Sequence, residues 1–378
     1  MELVFTGEFP PMIGGIGTYV YSRCQSPPGD GIKILAPNKG YSLEWDSKSN
    51  LQIERFNYQH GESLMTRLKQ IGIANSILSN ELISHHYRLI TSNHFFPFGF
   101  VAALNKKKYQ YKMAIFCHGA EILRSQSAKL NQLLFRYSFK KADLIIANSK
   151  MTAGLLSSLK TEERKIIVIN PPVDLKRFNV GPPEEKAESE LKAKLDLNDS
   201  LTILTVSRLD DIGKGIDRVI KIMPRMLSRW KNLKYIIIGD GILKDYYREL
   251  IQANRLEDHV LLVGKVSEKE LPIYYKICHV FILLSRRIKE SGYYEGFGIA
   301  CKEAMACGKP IIISDEAGIK DYISQGVNGI LVNPHDDEQI IRNIDFLLKN
   351  PTISQSMGKS AHLFASMPTD WSLLNQFT

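Results

Sequence analysis

The stretch "SGYYEGFGIACKEAMACGKPIIIS", Ser291–Ser314, sets the fold problem. It reads as a loop, a helix beginning near Phe297 or Gly298, a Gly-Lys-Pro turn, and an isoleucine run with the look of a buried strand. Glu295 falls on the loop before the helix, and Glu303 about a turn and a half inside it. At 100° per residue, eight positions leave two side chains about 80° apart. The two carboxylates therefore suit different parts of one elongated ligand. The N–H groups around Gly298 and Ile299 face an anion along the positive end of the helix. Gly296 and Gly298 leave room for a ring against the backbone. Glu295 suits sugar hydroxyls and Glu303 a ribose, with phosphate between them.

Outward from this unit, similar short apolar runs recur. "ELVFTG", "IKILAP", "LQIERF", "RLITSN", "MAIFCHG", "DLIIANS" and "KIIVINPP" come first. "LTILTVSRL", "KYIIIGDG", "VLLVGKV", "VFILLS", "PIIISD" and "GILVNP" follow. Runs this short, rich in Ile and Val and closed by Gly, Pro, Asn, Ser or Asp, are strands covered on both faces of a parallel sheet. Helix-sized gaps such as "IDRVIKIMPRMLSRWKNL" separate many of them, which makes βαβ units. Two sets of runs predict an α/β protein of two doubly wound, Rossmann-like domains facing across a cleft. The boundary falls in "NPPVDLKRFNVGPPEEKAESELKAK", where Pro171, Pro172, Pro182 and Pro183 interrupt regular structure. The first domain is expected over 1–175 and the second over 176–360.

Composition limits the classes. The 378 residues are 44 % hydrophobic and 24 % charged, ordinary for a globular protein and too many for one core. No apolar run reaches the ~18 residues of a membrane span, and "MELVFTGEF" lacks the basic start of a signal peptide. Five cysteines with no C-x-x-C pair argue against a disulfide framework or a zinc site, and fit a reducing cytoplasm. Net charge is +9, concentrated early: residues 1–175 hold 21 Lys and Arg against 13 Asp and Glu, a surplus of 8. "NKKKYQYK" and "RYSFKK" are either solvated faces or a patch for anionic lipid at the inner face of a membrane. No nucleic-acid motif accompanies the charge.

In open α/β sheets ligands sit beyond the carboxyl ends of the strands, and the remaining motifs follow strands. "GEFPPMIGGIGTYVYS" places Gly14, Gly15, Ile16 and Gly17 ahead of a helix beginning near Thr18. It is a plain turn, or a loop for phosphate or acceptor; as a dinucleotide fingerprint it fails, with Val20 in the third glycine position. "FCHGAE" puts His118 and Glu121 at a strand end, where a histidine donates to a hydroxyl or phosphate or shuttles a proton. "SRLDDIGKGID" brings Arg208 and Lys214 onto one loop, a guanidinium and an ammonium suited to a diphosphate. Gly241 in "GDG" and Val266 in "GKV" offer backbone groups to a base, or form simple turns.

With E-x(7)-E, R-x(5)-K-G, G-D-G and H-G-x-E in place, the chain resembles a GT-B-fold retaining glycosyltransferase of family 4 over nearly its whole length. The resemblance implies that Arg208 and Lys214 hold the diphosphate, Glu295 contacts the donor sugar's hydroxyls, and Glu303 binds the ribose. It implies backbone contacts from Phe297, Gly298 and Ile299, a His118 near the donor sugar, and closure of Gly15, Ile16 and Gly17 over phosphates or acceptor. It also implies a tail helix, 361–378 around Trp371, crossing back to the first domain. No essential metal or other cofactor is expected: there is no D-x-D, and two cations meet the charge. The donor is expected to be a UDP-hexose, glucose first, then GDP-mannose. The acceptor is a glycan or lipid-linked saccharide of polysaccharide biosynthesis. An enzyme of the same fold making a soluble disaccharide or sugar phosphate is the alternative. A hydrolase, a dehydrogenase and a non-catalytic sugar-binding protein fit less well.

Overall fold

The computed structural model describes residues 1–11, 14–25, 31–38, 42–58, 61, 63–181, 185–288 and 291–377; Pro182 and Pro183 lie outside them. It holds thirteen strands among the described residues: β1 Glu2–Phe5, β2 Ile32–Pro37, β3 Gln52–Phe56, β4 Leu89–Ser92, β5 Lys112–Cys117, β6 Leu144–Ala147 and β7 Ile166–Val168, then β8 Leu201–Val206, β9 Leu233–Ile238, β10 Val260–Gly264, β11 Val280–Leu283, β12 Ile311–Ser314 and β13 Ile330–Val332. Every apolar run picked out above is one of them.

Two sheets result. The first has the order β3-β2-β1-β4-β5-β6-β7 and the second β10-β9-β8-β11-β12-β13, with every paired strand parallel. The strand order reverses beside β1 in one and beside β8 in the other. Such a reversal parts the crossovers to opposite faces and opens a crevice at the strands' carboxyl ends.

Alternation along the strands explains the two-sided burial. In the second sheet Ile203, Tyr235, Ile237, Ile282 and Ile312 enter one core, while Leu204, Ile236, Phe281, Leu283, Ile311 and Ile313 enter the other. In the first sheet Leu3, Phe5, Ile90, Met113 and Ile115 face one way. Val4, Ile34, Ala114, Phe116 and Ile146 face the other. At about 25 cal/mol per Å² of apolar surface, burial on both faces is the main favourable contribution to such a sheet.

The chain separates into two compact units, Met1–Pro172 joined by the residues from Thr369 on, and Val173–Pro368. The helix Pro351–Ala365 belongs to the second unit, where it packs on the helix Ile299–Ala306. Only the short segment after it returns, later than the expected residue 361. There Trp371 stacks on Tyr19 at 5.7 Å and Leu374 is fully buried. Tyr19 also donates to the Ile169 carbonyl, and Thr369 Oγ1 donates to Asn170 O at 3.2 Å.

Candidate active site

In the second unit the functional residues gather beyond β8 and β11, where the strand order turns. After β8 the chain makes a tight turn, Ile212–Lys214, capped by Asp211, whose side chain accepts from the Gly213 N–H. After β11, Arg286 N donates to Gly213 O at 2.8 Å, and the two terminal nitrogens of the Arg286 guanidinium donate to the two Asp217 carboxylate oxygens at 2.9 and 3.0 Å. These bonds fix the Lys214 turn against the end of β11.

Lys214 Nζ then lies 2.7 Å from Glu295 Oε2. The same oxygen accepts from Tyr293 OH at 2.8 Å and lies 3.4 Å from Ser285 Oγ. The Lys214 ammonium stands 5.3 Å from the Tyr293 ring centre. Burial works against the charged form of Glu295, yet the Lys214 ammonium and the hydroxyl donors overcome it and hold the carboxyl below its ordinary range. Burial opposes the Lys214 charge as well, and Glu295 and Tyr293 outweigh it, raising the lysine above its usual value. Both groups are thus ionised at neutral pH, a cation and an anion held ready in a partly enclosed place.

Gly298 caps the helix Ile299–Ala306 with φ +101°, a conformation few side chains adopt, and no side chain of the cap residue bonds the first helical N–H groups, which lack partners within the helix. The helix begins one residue after the expected start. Phe297 is 3 % exposed, its ring in the core, so only its backbone is available to a ligand. Gly296 is buried beside it. Further along, Glu303 accepts from Tyr275 OH at 2.7 Å. Its burial is only partly offset by that bond and by Arg177, and its pKa rises to about 7.

Arg208 stands apart from this group. It leaves β8 on the same loop as Lys214, but its side chain is 76 % exposed, with Asp210 at 3.5 Å. Gly241 lies on the turn after β9, which is pinned to the same loop: Leu209 N donates to Asp240 O and Leu243 N to Leu209 O. Val266 follows β10, half-buried against the core.

The first unit holds the other predicted residues. Gly15, Ile16 and Gly17 form the first turn of the helix Gly15–Cys24, which starts three residues before the expected Thr18. His118 follows β5 and is buried; its Nε2 lies 3.0 Å from Asn93 O. A carbonyl only accepts, so Nε2 carries the proton and Nδ1 is the acceptor of the neutral ring. Burial keeps the ring's pKa below the ordinary value. The nitrogen expected to donate to a ligand is therefore engaged with the backbone. Glu121 accepts from the His118 N–H at 2.6 Å and so holds the loop.

Four partners went unread in the sequence: Tyr293, Ser285, Tyr275 and Arg286. Tyr293 alone carried a signal, two residues before Glu295 in "SGYYEG". The others depend on which strand ends become neighbours.

Solved structures share this architecture along the whole chain. The Anabaena protein HepE, crystallised with UDP and glucose, superposes with a TM-score of 0.80 at 20 % identity, covering all of this chain and 97 % of that one. Sucrose-phosphate synthase from Thermosynechococcus elongatus gives 0.81 at 20 % identity, covering all of this chain and 96 % of that one. These likenesses define a GT-B glycosyltransferase fold. Residues 13–177 match the model of "Glycosyltransferase Family 4" and residues 187–364 that of "Glycosyl transferases group 1". The chain belongs to the glycosyltransferases that these two models together describe. A relative from Corynebacterium glutamicum is named a GDP-mannose-dependent monoacylated alpha-(1-6)-phosphatidylinositol monomannoside mannosyltransferase. It is 22 % identical over 374 residues, spanning 99 % of this chain and 95 % of the relative.

Proposed function

We propose that this glycosyltransferase is retaining and moves a hexose from a nucleotide diphosphate sugar to a hydroxyl of a glycan or lipid-linked saccharide in polysaccharide biosynthesis. The first unit would bind the acceptor and the second the donor, UDP-glucose ahead of GDP-mannose. The observation that carries the reading is the Lys214–Glu295 pair at the strand reversal of the second sheet, just ahead of the N-terminus of the helix Ile299–Ala306.

Lys214 meets the diphosphate as a charge, joined by the N–H groups of that N-terminus and by Arg208, which swings in from its exposed position. Glu295, held by Tyr293 and Ser285, accepts from the sugar's hydroxyls. Glu303 accepts from the ribose, with Gly241 and Val266 backbone groups against the base. As the bond from the sugar's anomeric carbon to phosphate breaks, the acceptor oxygen bonds to that carbon on the same face. The acceptor's proton passes to the departing phosphate oxygen. The cations stabilise the charge that develops there and take the part an essential metal would play.

Thermal shift with UDP-glucose, UDP-N-acetylglucosamine and GDP-mannose tests the reading. A ligand at 100 times its dissociation constant adds about 2.7 kcal/mol. At least one is expected to raise the midpoint, and the Arg208→Ala/Lys214→Ala double variant to lose the shift and the turnover. A double variant with wild-type affinity and turnover overturns the proposal.

A further inference from the structure

The reversal point of the first sheet carries a second polar cluster. Glu8 follows β1, Asn93 and His94 follow β4, His118 follows β5, and Asn148 follows β6. His94 Nε2 lies 3.5 Å from Glu8 Oε1, and the His94 and His118 rings are 5.6 Å apart. Glu8 Oε2 also comes within 3.7 Å of where a side chain at Gly14 would begin. The Glu8 and His94 side chains are 31 % and 20 % exposed, so a ligand can reach them.

Beneath them two buried amides are incompletely satisfied. Asn93 Oδ1 accepts from the Gly7 N–H at 3.2 Å, while Nδ2 has no partner. Asn148 Nδ2 donates to His118 O at 3.3 Å, while Oδ1 has none. Asn93 is 1 % exposed and Asn148 5 %, and an unmet buried polar atom is destabilising. Asn93 O and Asn148 Nδ2 both bond to His118, so the two amide residues fix its ring and backbone beside the Glu8–His94 pair.

The chemistry of the set selects the ligand. A carboxylate repels phosphate. Imidazoles and amides beside a carboxylate instead match the alternating donors and acceptors of vicinal hydroxyls.

We propose that Glu8 and His94 form the hydroxyl-binding subsite for the acceptor saccharide in the first unit, the carboxylate accepting from one sugar hydroxyl and the imidazole bonding its neighbour. This rests on the glycosyltransferase reading above and gives it acceptor residues that no family motif in the sequence marks. Burial opposes the charged form of His94, but Glu8, and Glu121 at longer range, favour it and raise its pKa, with His118 the other titratable ring facing it.

The test uses the full chain, the nucleotide sugar that shifts its melting, and methyl α-D-glucopyranoside and methyl α-D-mannopyranoside as acceptor probes. Nucleoside diphosphate release is followed against glycoside concentration for the wild type, Glu8→Gln and His94→Gln. At least one glycoside is expected to stimulate release. Each substitution should raise its half-saturating concentration about 10- to 100-fold, the worth of one hydrogen bond to a charged group. The thermal shift by the nucleotide sugar should stay as in the wild type. In the wild type alone the His94 ring resonance should move as glycoside is added, a readout that survives any loss of folding in the variants. An unchanged glycoside concentration, weakened nucleotide-sugar binding, an unmoved resonance or the absence of stimulation each overturns the subsite. Absence of any nucleotide-sugar shift in the wild type instead overturns the donor reading on which it rests.

Discussion

Lys214 Nζ and Glu295 Oε2 are 2.7 Å apart, with side chains 18 % and 14 % exposed. The sequence offered them as separate contacts for phosphate and sugar; folded, each neutralises the other. Removing one partner of a buried ion pair strands the other charge, at about 3–5 kcal/mol, while removing both costs far less. Lys214→Met should therefore lower the unfolding free energy by about that amount, and Lys214→Met/Glu295→Gln should recover most of it without recovering nucleotide-sugar affinity. Urea unfolding of the two singles and the double closes the cycle. A single variant no less stable than the double would mean the pair is not coupled.

Gly213 is required by its neighbour. A Cβ there would lie 2.1 Å from Tyr293 Cδ1. Gly213→Ala must displace the ring whose hydroxyl holds Glu295. A loss of about 1–3 kcal/mol is expected, with weaker nucleotide-sugar binding. Gly72, inside the helix Leu64–Ser84, has nothing within 4 Å of the same position. Gly72→Ala should gain about 0.5–1 kcal/mol. Thermal denaturation and ligand shift on both variants distinguish contact from backbone effects.

Glu303 makes stability depend on pH. Its folded pKa of about 7 exceeds the ordinary carboxyl value of 4.5, chiefly through burial. Between those values the folded state holds a proton that the unfolded chain gives up, so this group's contribution is present below the lower value and lost as pH rises through about 7. The loss is up to about 3 kcal/mol. Glu303→Gln should flatten that part of the stability profile. A variant profile parallel to the wild type between pH 4.5 and 7 would contradict the assignment.

The first unit also presents a basic, apolar face. On the helix Lys129–Lys141, Leu130 and Leu133 are 48 % and 62 % exposed among exposed Lys129, Arg136, Lys140 and Lys141. Arg67 donates to Asn131, joining the helix Leu64–Ser84, where Met65 and Leu68 are also exposed. We propose peripheral binding of this face to anionic lipid. Lys140→Glu/Lys141→Glu should weaken binding to phosphatidylserine-containing liposomes roughly 30-fold at low salt, at about 1 kcal/mol per basic residue. Sedimentation indifferent to salt and to these substitutions would refute it.

The strands were legible because isoleucine and valine runs bounded by turn residues have one stable use, a sheet covered on both faces. Lys214, Glu295 and Glu303 were legible because each lies on a loop that follows a strand or in the helix to which that loop leads. Helix starts were less so: glycine reads as a breaker, yet Gly15 and Gly17 sit inside the first turn of their helix. The support around the site was hidden because it is tertiary. Ser285, Tyr275, Glu8 and His94 gain meaning only through residues that are distant in sequence or on other strand ends, and nothing local marks such a pairing.

Thr369 meets Asn170 at a separation of 199 positions in the chain, and Trp371 closes the aromatic core around Tyr19 and Phe116. A ribosome producing this polypeptide therefore completes the later unit while the earlier one still shows an uncovered apolar seam. Maturation of the amino-terminal half must wait for translation of its distant lid, leaving a nascent-chain interval in which chaperone capture or aggregation competes with closure.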